Sequence, residues 1–375
     1  MATKLTERFR WLDGNVVLTV LIIKALVLMF AAQAFQIIKE EPLYQQNSFL
    51  GIWQRWDATH YLKIAETGYT GVGDDRFLIV FFPLYPFFVN VVSFFTGGDY
   101  LLAGFLVTAI ASVAVGLVLR ELVRLDYPEK TARLAVLFLF IFPTSYFLHI
   151  PYTESLFLAL VIGCFLAARR RFWFAAAVLG ALACMTRVNG LILIFALAFE
   201  VWEEYRETRK FNRAWLLLAM IPAGFGVYLL LNYIVTGSPT TFMTYQREHW
   251  QRYIRVPWEG IYESYKRIFN PKIVDAQLYG VQEMLFVVIG LCATIVGWAW
   301  MRNSYRVWMV ANWLIFVSTS FVLSVPRYTL TLFPLFILMA VAAKRSWPLH
   351  ILFICWSILF LGLFSMQFAR GHWAF

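Results

Sequence analysis

The sequence predicts an all-α, polytopic membrane protein. Of its 375 residues, 61% are hydrophobic and only 14% are charged, a balance that would leave large exposed apolar patches on a soluble domain. Apolar stretches of roughly 17 to 25 residues, long enough to cross a hydrocarbon core, recur from 16–38 to 349–368. They are continuous and rich in Leu, Ala and Phe, which favours helices over the alternating strands of a β-barrel.

The individual apolar stretches support one membrane domain over residues 1–375. The first, 16–38, is too long for a signal-peptide core and lacks a small-residue cleavage site, so we expect it to remain as a helix. We find no soluble domain, low-complexity tract or internal repeat. Four cysteines lie inside apolar runs, without CxxC pairs or neighbouring metal ligands, and are predicted to be small core residues: Cys164, Cys184, Cys292 and Cys355.

The net charge of +10 does not indicate nucleic-acid binding, because the basic residues form short clusters between apolar segments. Such clusters are orientation signals and are predicted to face the cytoplasm. They are Lys4, Arg8 and Arg10; Arg120, Arg124, Lys130 and Arg133; Arg169, Arg170 and Arg171; Arg206, Arg209, Lys210 and Arg213; Arg302 and Arg306; and Lys344 and Arg345.

This orientation requires one apolar run that does not cross the membrane. The N-terminus and the cluster at 120–133 can both be cytoplasmic only if an even number of crossings separates them, but three runs do. The run 77–95 contains Phe-Phe-Pro-Leu-Tyr-Pro, and its prolines break helical hydrogen bonding, so we predict that it dips into the membrane and returns. About eleven transmembrane helices then remain. The stretches predicted to be external are 39–76, 142–154, 186–190, 236–282 and 324–328.

The external stretches hold most ionisable residues that adjoin apolar sequence, and the densest is 53–69. Its spacing predicts a helix that lies in the membrane interface and ends at Gly68. One face of that helix would carry Leu50, Trp53, Asp57, His60, Tyr61 and Ile64. A carboxylate on an aromatic face costs free energy unless it lines a polar cavity. Alternatively, Asp57 is a salt-bridge or helix-cap residue beside Arg55.

Three short external turns each carry a charged residue with two interpretations. Glu154 is predicted to begin a helix, where its carboxylate would interact favourably with the free amide groups and the macrodipole. Alternatively, it faces a functional site. Arg187, followed by Asn189 in Thr-Arg-Val-Asn-Gly, and Arg327 in Val-Pro-Arg-Tyr could extend to the membrane surface. Two external arginines also match the oxygens of a lipid-linked phosphate.

Five motifs together resemble one known family. Trp-Asp-x-x-His-Tyr, Phe-Phe-Pro-Leu-Tyr-Pro, Phe-Pro-Thr-Ser…Tyr-Thr-Glu-Ser, Arg-Val-Asn-Gly and Pro-Arg-Tyr occur in this order between Trp53 and Tyr328. They are similar to the PIG-V-like family, which includes the second mannosyltransferase of GPI-anchor assembly and belongs to the GT-C membrane glycosyltransferases. The family has prokaryotic members with unassigned acceptors, so the resemblance does not identify the acceptor.

The resemblance implies a polyprenyl- or dolichyl-phosphate donor of a sugar, most often mannose, used on the external or lumenal face. The membrane would be the plasma membrane of a prokaryote or the endoplasmic reticulum. The resemblance also implies a catalytic acidic residue in the first external loop, at the position of Asp57. It implies a second external acidic residue at the position of Glu154. A later external loop, here 236–282, would close over the donor. A β-linked donor would react with inversion.

The chemistry of such a transfer assigns roles to the candidate residues. A base takes the hydroxyl proton, cations stabilise the departing phosphate, and an apolar groove holds the prenyl tail. We predict Asp57 as the base, with His60 and Glu154 as further catalytic residues. The predicted contacts to the donor and acceptor are Arg187, Asn189, Arg327, Tyr328, Trp53, Tyr61 and Tyr152. No cofactor or metal is expected, although Asp57 and His60, one helical turn apart, could share a cation with Glu154.

The main alternative is a transporter or flippase of lipid-linked sugars. Such a protein would carry ionisable residues in the middle of helices and repeat symmetry. Lys24 is the one clear charge in mid-helix, and snorkelling or pairing also explains it. A third possibility is a non-enzymatic subunit of a glycosylation complex, which would transfer no sugar when purified alone. We expect membrane lipids, a lipid-linked sugar and a lipid or glycan acceptor as partners.

Overall fold

The computed structural model describes residues 13–38, 48–269 and 276–375. Within these ranges the regular structure is helical, and the only strand-like feature is an isolated bridge between Ile254 and Thr319. The predicted all-α class is therefore confirmed. The basic residues Lys4, Arg8 and Arg10, and the first part of the 39–76 loop, lie outside the described residues.

The α-helices follow one another along the chain with short connections, several of which contain a 3₁₀ turn. They are α1 Gly14–Ile37, α2 Asp57–Thr67, α3 Leu84–Ser93, α4 Tyr100–Val123, α5 Glu129–Ile141, α6 Glu154–Arg169, α7 Trp173–Cys184, α8 Ile192–Thr208, α9 Met220–Thr236, α10 Thr241–Glu248, α11 Pro257–Ile268, α12 Ala276–Trp300, α13 Asn303–Val317, α14 Val325–Tyr328, α15 Pro334–Arg345 and α16 Trp347–Ala369.

Among the described residues, five helices are long and apolar enough to span a membrane, or up to seven if each of two bent pairs counts as one span. The long helices are Gly14–Ile37, Tyr100–Val123, Arg213–Thr236, Gly280–Trp300 and Trp347–Ala369. Several other helices are shorter because loops and 3₁₀ turns interrupt the apolar runs. The figure of about eleven crossings therefore stays a prediction.

The run 77–95 is broken at Pro83, whereas Pro86 lies within α3. A 3₁₀ helix, Asp74–Val80, meets α3 at an angle of 112°, and such a break fits either a broken span or a re-entrant loop. Pro83 precedes the first residue of α3, where a missing N–H costs no helical hydrogen bond. The predicted break is confirmed, and the dip into the membrane stays a prediction.

Helix α6 is the centre of the fold and positions both of its charged ends. It packs against α4 and α7, and most of its residues are buried on every side. Glu154 is its first residue, and Arg169 is its last. Charged side chains at these two ends are therefore held by a helix that has little freedom to move.

Helix α2 differs in part from the helix predicted over 53–69. It ends as predicted, since Gly68 has a φ of +75° and donates its N–H to the Ile64 carbonyl. It begins only at Asp57, and Trp53 lies in a separate 3₁₀ turn, so Trp53 does not share its face. The apolar face of α2 is buried against α3 and α4. The interfacial position of α2 therefore remains a prediction, and protein rather than lipid covers that face.

Two further predictions concern residues inside apolar helices. Lys24 is buried and its Nζ donates to the His149 carbonyl oxygen at 2.6 Å, so it pairs with backbone instead of snorkelling. Cys164 and Cys184 are buried as predicted. The core prediction is wrong for Cys292 and Cys355, which are exposed, because hydropathy does not distinguish a lipid-facing side of a helix from a buried one.

Candidate active site

Four charged residues from separate parts of the sequence form one chain of ion pairs. The Oε1 atom of Glu154 accepts hydrogen bonds from Arg187 Nη1 and from Arg327 Nε, both at 2.5 Å. Arg327 Nη1 then donates to Asp57 Oδ2 at 2.6 Å. The structure thus brings together the residues that the sequence placed in three external turns and the first external loop.

Glu154 lies at the base of this chain. Its side chain is fully buried, and its Oε2 atom has no hydrogen-bond partner within the described part of the chain. Thr153, the N-cap residue of α6, also makes no side-chain cap. A buried carboxylate that binds two guanidinium groups orients them, and the capping interpretation does not account for those contacts.

Asp57 lies at the accessible end of the chain. Its side chain is 30% exposed, compared with 5% for Arg327. The ion pair of Asp57 is with Arg327, which is distant in sequence. Asp57 also borders a small cleft, so a carboxylate oxygen is within reach of a molecule from outside. The cleft is lined by Trp56, Asp57, Tyr152, Arg327, Phe368, Trp373, Ala374 and Phe375.

Three guanidinium groups surround the ring of Tyr328. The guanidinium carbons of Arg187, Arg252 and Arg327 lie 5.2, 5.8 and 6.0 Å from the ring centroid. Arg252 Nη1 donates to the Tyr328 hydroxyl at 3.0 Å. Within the described ranges no carboxylate lies within ion-pair distance of Arg252, so its charge is the least compensated of the three. Sequence reasoning did not select Arg252, which resembled the other basic residues of its loop.

His60 follows Asp57 by one helical turn and lies among aromatic rings. Its ring centroid is 5.1 Å from that of Phe81 and 5.9 Å from that of Trp250. Burial lowers the pKa of His60 below its usual value, and the charge of Asp57 only partly opposes this. A neutral imidazole can accept a proton or a hydrogen bond from a bound hydroxyl.

Three aromatic residues among the predicted contacts are buried, and of these Tyr152 lines the cleft. Trp53 is fully buried and stacks on Phe368 at 6.1 Å between centroids. Tyr61 is also buried, among other aromatic rings. Tyr152 is buried beneath Arg327, whose guanidinium carbon is 4.6 Å from the ring centroid. Of these rings, Tyr152 packs against a charged residue of the site.

Asn189 is directed towards another helix. Its Nδ2 donates to Asn312 Oδ1 at 2.8 Å, and Asn312 Nδ2 donates to the Trp308 carbonyl. Gly190 allows this turn to fold back tightly, because a Cβ there would lie 2.6 Å from the Cys184 nitrogen. The sequence signal for Asn189 was its place beside Arg187, and the structure gives it a role in holding that turn.

Two residues that shape the site were missed. Trp56 adopts a φ of 51°, which is rare for a bulky residue, and its ring contacts Trp373 edge-on at 5.2 Å. Glu283 accepts the backbone N–H groups of Ser324 and Val325 at 2.6 and 2.8 Å and so fixes the start of α14, which carries Arg327. A carboxylate near the start of a membrane span was the available signal for Glu283.

The structure does not assemble the metal site that the sequence left open. Among the described residues, no group of three or more His, Cys, Asp or Glu side chains is placed to hold a metal ion. Oε1 of Glu154 already binds two arginines. Independence from metal ions and cofactors stays a prediction.

Comparison with protein-family models decides which family this chain belongs to. A model described as Mannosyltransferase (PIG-V) matches residues 32–251, which is more than half of the chain. The chain belongs to the Mannosyltransferase (PIG-V) family. The predicted family is thus confirmed, and its description as a mannosyltransferase family supports the predicted class of enzyme, a glycosyltransferase. No curated protein matches the chain at a significant level.

A solved structure, that of ArnT, shows a similar fold at low sequence identity. ArnT from Cupriavidus metallidurans, bound to undecaprenyl phosphate, is 16% identical with a TM-score of 0.53, and the match covers 87% of this chain and 60% of ArnT. The oligosaccharyltransferase of Archaeoglobus fulgidus is 13% identical with a TM-score of 0.43, and the match covers 92% of this chain and 52% of that protein. The chain therefore spans somewhat more than half the length of these proteins.

The family, the ArnT-like fold and the apolar helices together make this chain an integral, multi-pass membrane protein. The matched region ends at residue 251, before Arg252, Arg327 and Tyr328. The family model therefore covers Asp57, Glu154 and Arg187, and the structure adds the remainder of the site.

Proposed function

We propose that this protein transfers a sugar, most simply mannose, from a polyprenyl- or dolichyl-phosphate donor to a hydroxyl of a lipid or glycan acceptor. The observation that carries the proposal is the ion-pair chain that joins Asp57 to Arg327, Glu154 and Arg187 at the edge of a cleft. It sets a proton acceptor beside guanidinium groups, which are the two requirements of a transfer from phosphate to hydroxyl.

In the proposed reaction, the acceptor oxygen attacks the anomeric carbon of the sugar while the bond from that carbon to the phosphate oxygen breaks. The hydroxyl proton passes to Asp57, and the electron pair of the broken bond leaves with the polyprenyl phosphate. Arg327 binds Oδ2 of Asp57, so we assign Oδ1 to the acceptor proton. A single displacement of a β-linked sugar inverts the anomeric carbon.

The phosphate contact is better assigned to Arg187 and Arg252 than to Arg327. Arg327 lies between two carboxylates and is 5% exposed, whereas Arg187 contacts one carboxylate and is 17% exposed. Arg252 has a phenol hydroxyl as its partner. An incoming phosphate can bind these two guanidiniums without displacing Asp57 from Arg327. Arg327 then serves to orient Asp57.

The lipid part of the donor is proposed from fold and surroundings. ArnT of Cupriavidus metallidurans was solved with undecaprenyl phosphate, and we propose a lipid phosphate of the same chemical class here. The cleft wall contains Trp56, Phe368 and Trp373, which offer apolar surface beside the charged groups. An isoprenoid chain and a sugar phosphate need these two kinds of surface next to each other.

The transporter alternative rests on Lys24. That lysine is bound to the His149 carbonyl and is enclosed by protein. His149 ends the 3₁₀ turn Ser145–Leu148, a few residues before Glu154. Lys24 therefore has a structural partner that supports the turn leading into the site, and a role in transport is not needed to explain it.

The test is to incubate the purified protein in lipid nanodiscs with polyprenyl-phosphate mannose and a crude lipid and glycan extract. We expect mass spectrometry to find an acceptor that gains one hexose, with release of polyprenyl phosphate. Asp57→Asn protein should give neither product. Consumption of donor by water alone, or no consumption by a folded preparation, would contradict the proposal. Movement of intact donor across vesicles without transfer would favour a flippase.

We also propose that the site faces the external or lumenal side, because the predicted cytoplasmic clusters lie at the other end of α6. Single cysteines beside Asp57 and beside Arg170 can be labelled in intact cells with an impermeant reagent. Labelling near Asp57 and protection near Arg170 are expected. The reverse pattern would place the site in the cytoplasm.

A further inference from the structure

Helix α11 carries a row of aromatic side chains that no other described element covers. Trp258, Tyr262 and Tyr265 recur at helical spacing, and Phe269 follows one turn later on the same face. Their exposed fractions are 69, 59, 50 and 64%. A continuous aromatic surface of this kind is unusual on a face that meets only water.

The opposite face of α11 is fixed against the protein. A Cβ at Gly260 would lie 2.3 Å from the Thr319 carbonyl oxygen, so the helix backbone touches that segment directly. The Ser264 hydroxyl accepts the Val322 N–H at 2.7 Å. The aromatic face must therefore point away from the protein.

The contacts of α11 also place it at one surface of the membrane. Ile268 packs against Gly280, the residue at which the membrane span Gly280–Trp300 begins. Near the other end, Gly260 lies beside the Val317 carbonyl, where α13 ends. Only two residues separate α12 from α13, so the two helices are antiparallel and these two ends lie on the same side. Helix α11 thus lies across the ends of two neighbouring helices.

The charges on and beside α11 largely pair with one another, so they do not favour binding to anionic lipid in particular. Arg255, two residues before the helix, pairs with Glu259 at 3.3 Å, and Lys266 pairs with Glu263 at 2.7 Å, so these four charges compensate one another. Arg267 stacks on Phe321. Exposed Trp and Tyr rings, which have an apolar body and a polar edge, are typical of the head-group region of a bilayer.

We propose that α11 lies in the membrane interface, with Trp258, Tyr262, Tyr265 and Phe269 inserted among phospholipid head groups. Its position is set by aromatic rings rather than by net charge. The sequence had predicted an interfacial helix in the first external loop, but there the apolar face is covered by protein. This proposal does not depend on the transfer reaction.

The test is to measure the membrane depth of spin labels on single cysteines in nanodiscs. The exposed cysteines Cys292 and Cys355 are replaced by serine in the background protein. In one further sample Cys292, which lies in a membrane span, is kept and labelled as the hydrocarbon reference. Labels replace Trp258, Tyr262 or Tyr265, and Glu248, which is exposed at the end of α10, gives the water reference. Glu259→Cys, beside Trp258 on the same helix, is the matched control.

We expect labels at positions 258, 262 and 265 to collide several-fold less with a water-soluble nickel chelate than labels at 248 and 259. Their collisions with oxygen should fall between those of positions 248 and 292. The depths should be equal in neutral and anionic lipid. Nickel accessibility at 258 equal to that at 248 would overturn the proposal. So would protection from both probes, which would indicate a protein partner, or insertion only in anionic lipid. Unchanged thermal unfolding confirms that each labelled variant is folded.

Discussion

Arginines and carboxylates cluster at both ends of helix α6, but the two clusters differ in how completely the carboxylate oxygens are paired. At its C-terminal end, Arg169 binds both oxygens of Asp126, at 2.5 and 2.7 Å. Arg170 binds one oxygen of Glu121, while the other accepts hydrogen bonds from two further arginines. At the N-terminal end, Oε2 of Glu154 is buried without a partner in the described structure.

This difference distinguishes ion pairs that hold helix ends together from ion pairs that can receive a ligand. In the C-terminal network, both oxygens of each of these carboxylates bind arginines. Those arginines are therefore already paired and offer no free site to a bound anion. In the N-terminal cluster, Arg187 is partly exposed and Arg252 has a hydroxyl partner. Incomplete pairing beside a cleft, rather than the number of charges, is why we propose the N-terminal end as the functional one.

The largest expected effect is on turnover by Asp57→Asn. The change keeps the side-chain shape and removes the proton acceptor, so we expect a loss of about 100-fold to 10,000-fold in turnover. Donor binding should survive, because Arg187 and Arg252 are unchanged. Steady-state kinetics with labelled donor provide the measurement.

Asp75→Asn is the matched control for Asp57→Asn. Asp75 follows in the same loop and forms an exposed salt bridge with Lys63. It should retain turnover within about twofold, since exposed pairs contribute little. A folded Asp57→Asn protein with near-parent turnover would move the base to Glu154 or His60.

Glu154→Gln should show the largest loss of stability. Removing the buried charge leaves Arg187 without a carboxylate partner and Arg327 with Asp57 alone. Breaking a buried pair in this way typically costs about 3 to 5 kcal/mol. Glu129→Gln at the other end of the molecule removes a carboxylate that is 36% exposed, and should cost within about 1 kcal/mol. Unfolding in one detergent compares the two variants. Equal costs would show that the two ends are not distinct.

Arg252→Ala should weaken donor use by about 10-fold to 150-fold, which corresponds to about 1.5 to 3 kcal/mol for a hydrogen bond to a charged group. Arg187→Ala should have a similar effect. The KM for the donor should rise more than kcat falls, because the contact to the donor exists before the reaction. Arg133→Ala, in the other network, is the control and should leave the KM unchanged.

The smallest expected effect is a change in the pH dependence of stability from His60. Burial lowers its pKa in the folded protein, so the unfolded chain takes up a proton first as the pH falls below about 6.5. The contribution of neutral His60 to stability is therefore complete above that pH and declines below it. His60→Gln should unfold with a weaker dependence on pH between about 6.5 and 5. An identical profile in both proteins would show that His60 is not desolvated.

The sequence predicted the charged residues of the site better than its aromatic ones. Asp57, Glu154, Arg187 and Arg327 were selected because charges beside apolar sequence need a reason, and the structure brings them into contact. Trp53 was predicted to contact the donor or acceptor and is instead in the core. In so aromatic a chain, a ring in the core and a ring in a cleft have the same pattern.

Arg252 and Glu283 could not be selected from sequence for a different reason. Arg252 acquires its meaning from Tyr328, which is distant in the chain, and Glu283 from two backbone N–H groups of another segment. The number of membrane crossings was likewise not fixed by hydropathy, because several helices are shorter than a span. These features depend on tertiary contacts.

The backbone conformation of Trp56 restricts how this protein can be stabilised by engineering. Its φ of 51° is held directly before Asp57, and Ser324, with a φ of 66°, directly precedes the short helix that carries Arg327. Glycine at either position would relieve an unfavourable conformation of about 1 to 3 kcal/mol. At position 56 it would also remove the ring that contacts Trp373, which offsets that gain. It would also release the residue that aims a charged group at the cleft. A thermostable variant obtained by such a change would exchange catalytic precision for robustness.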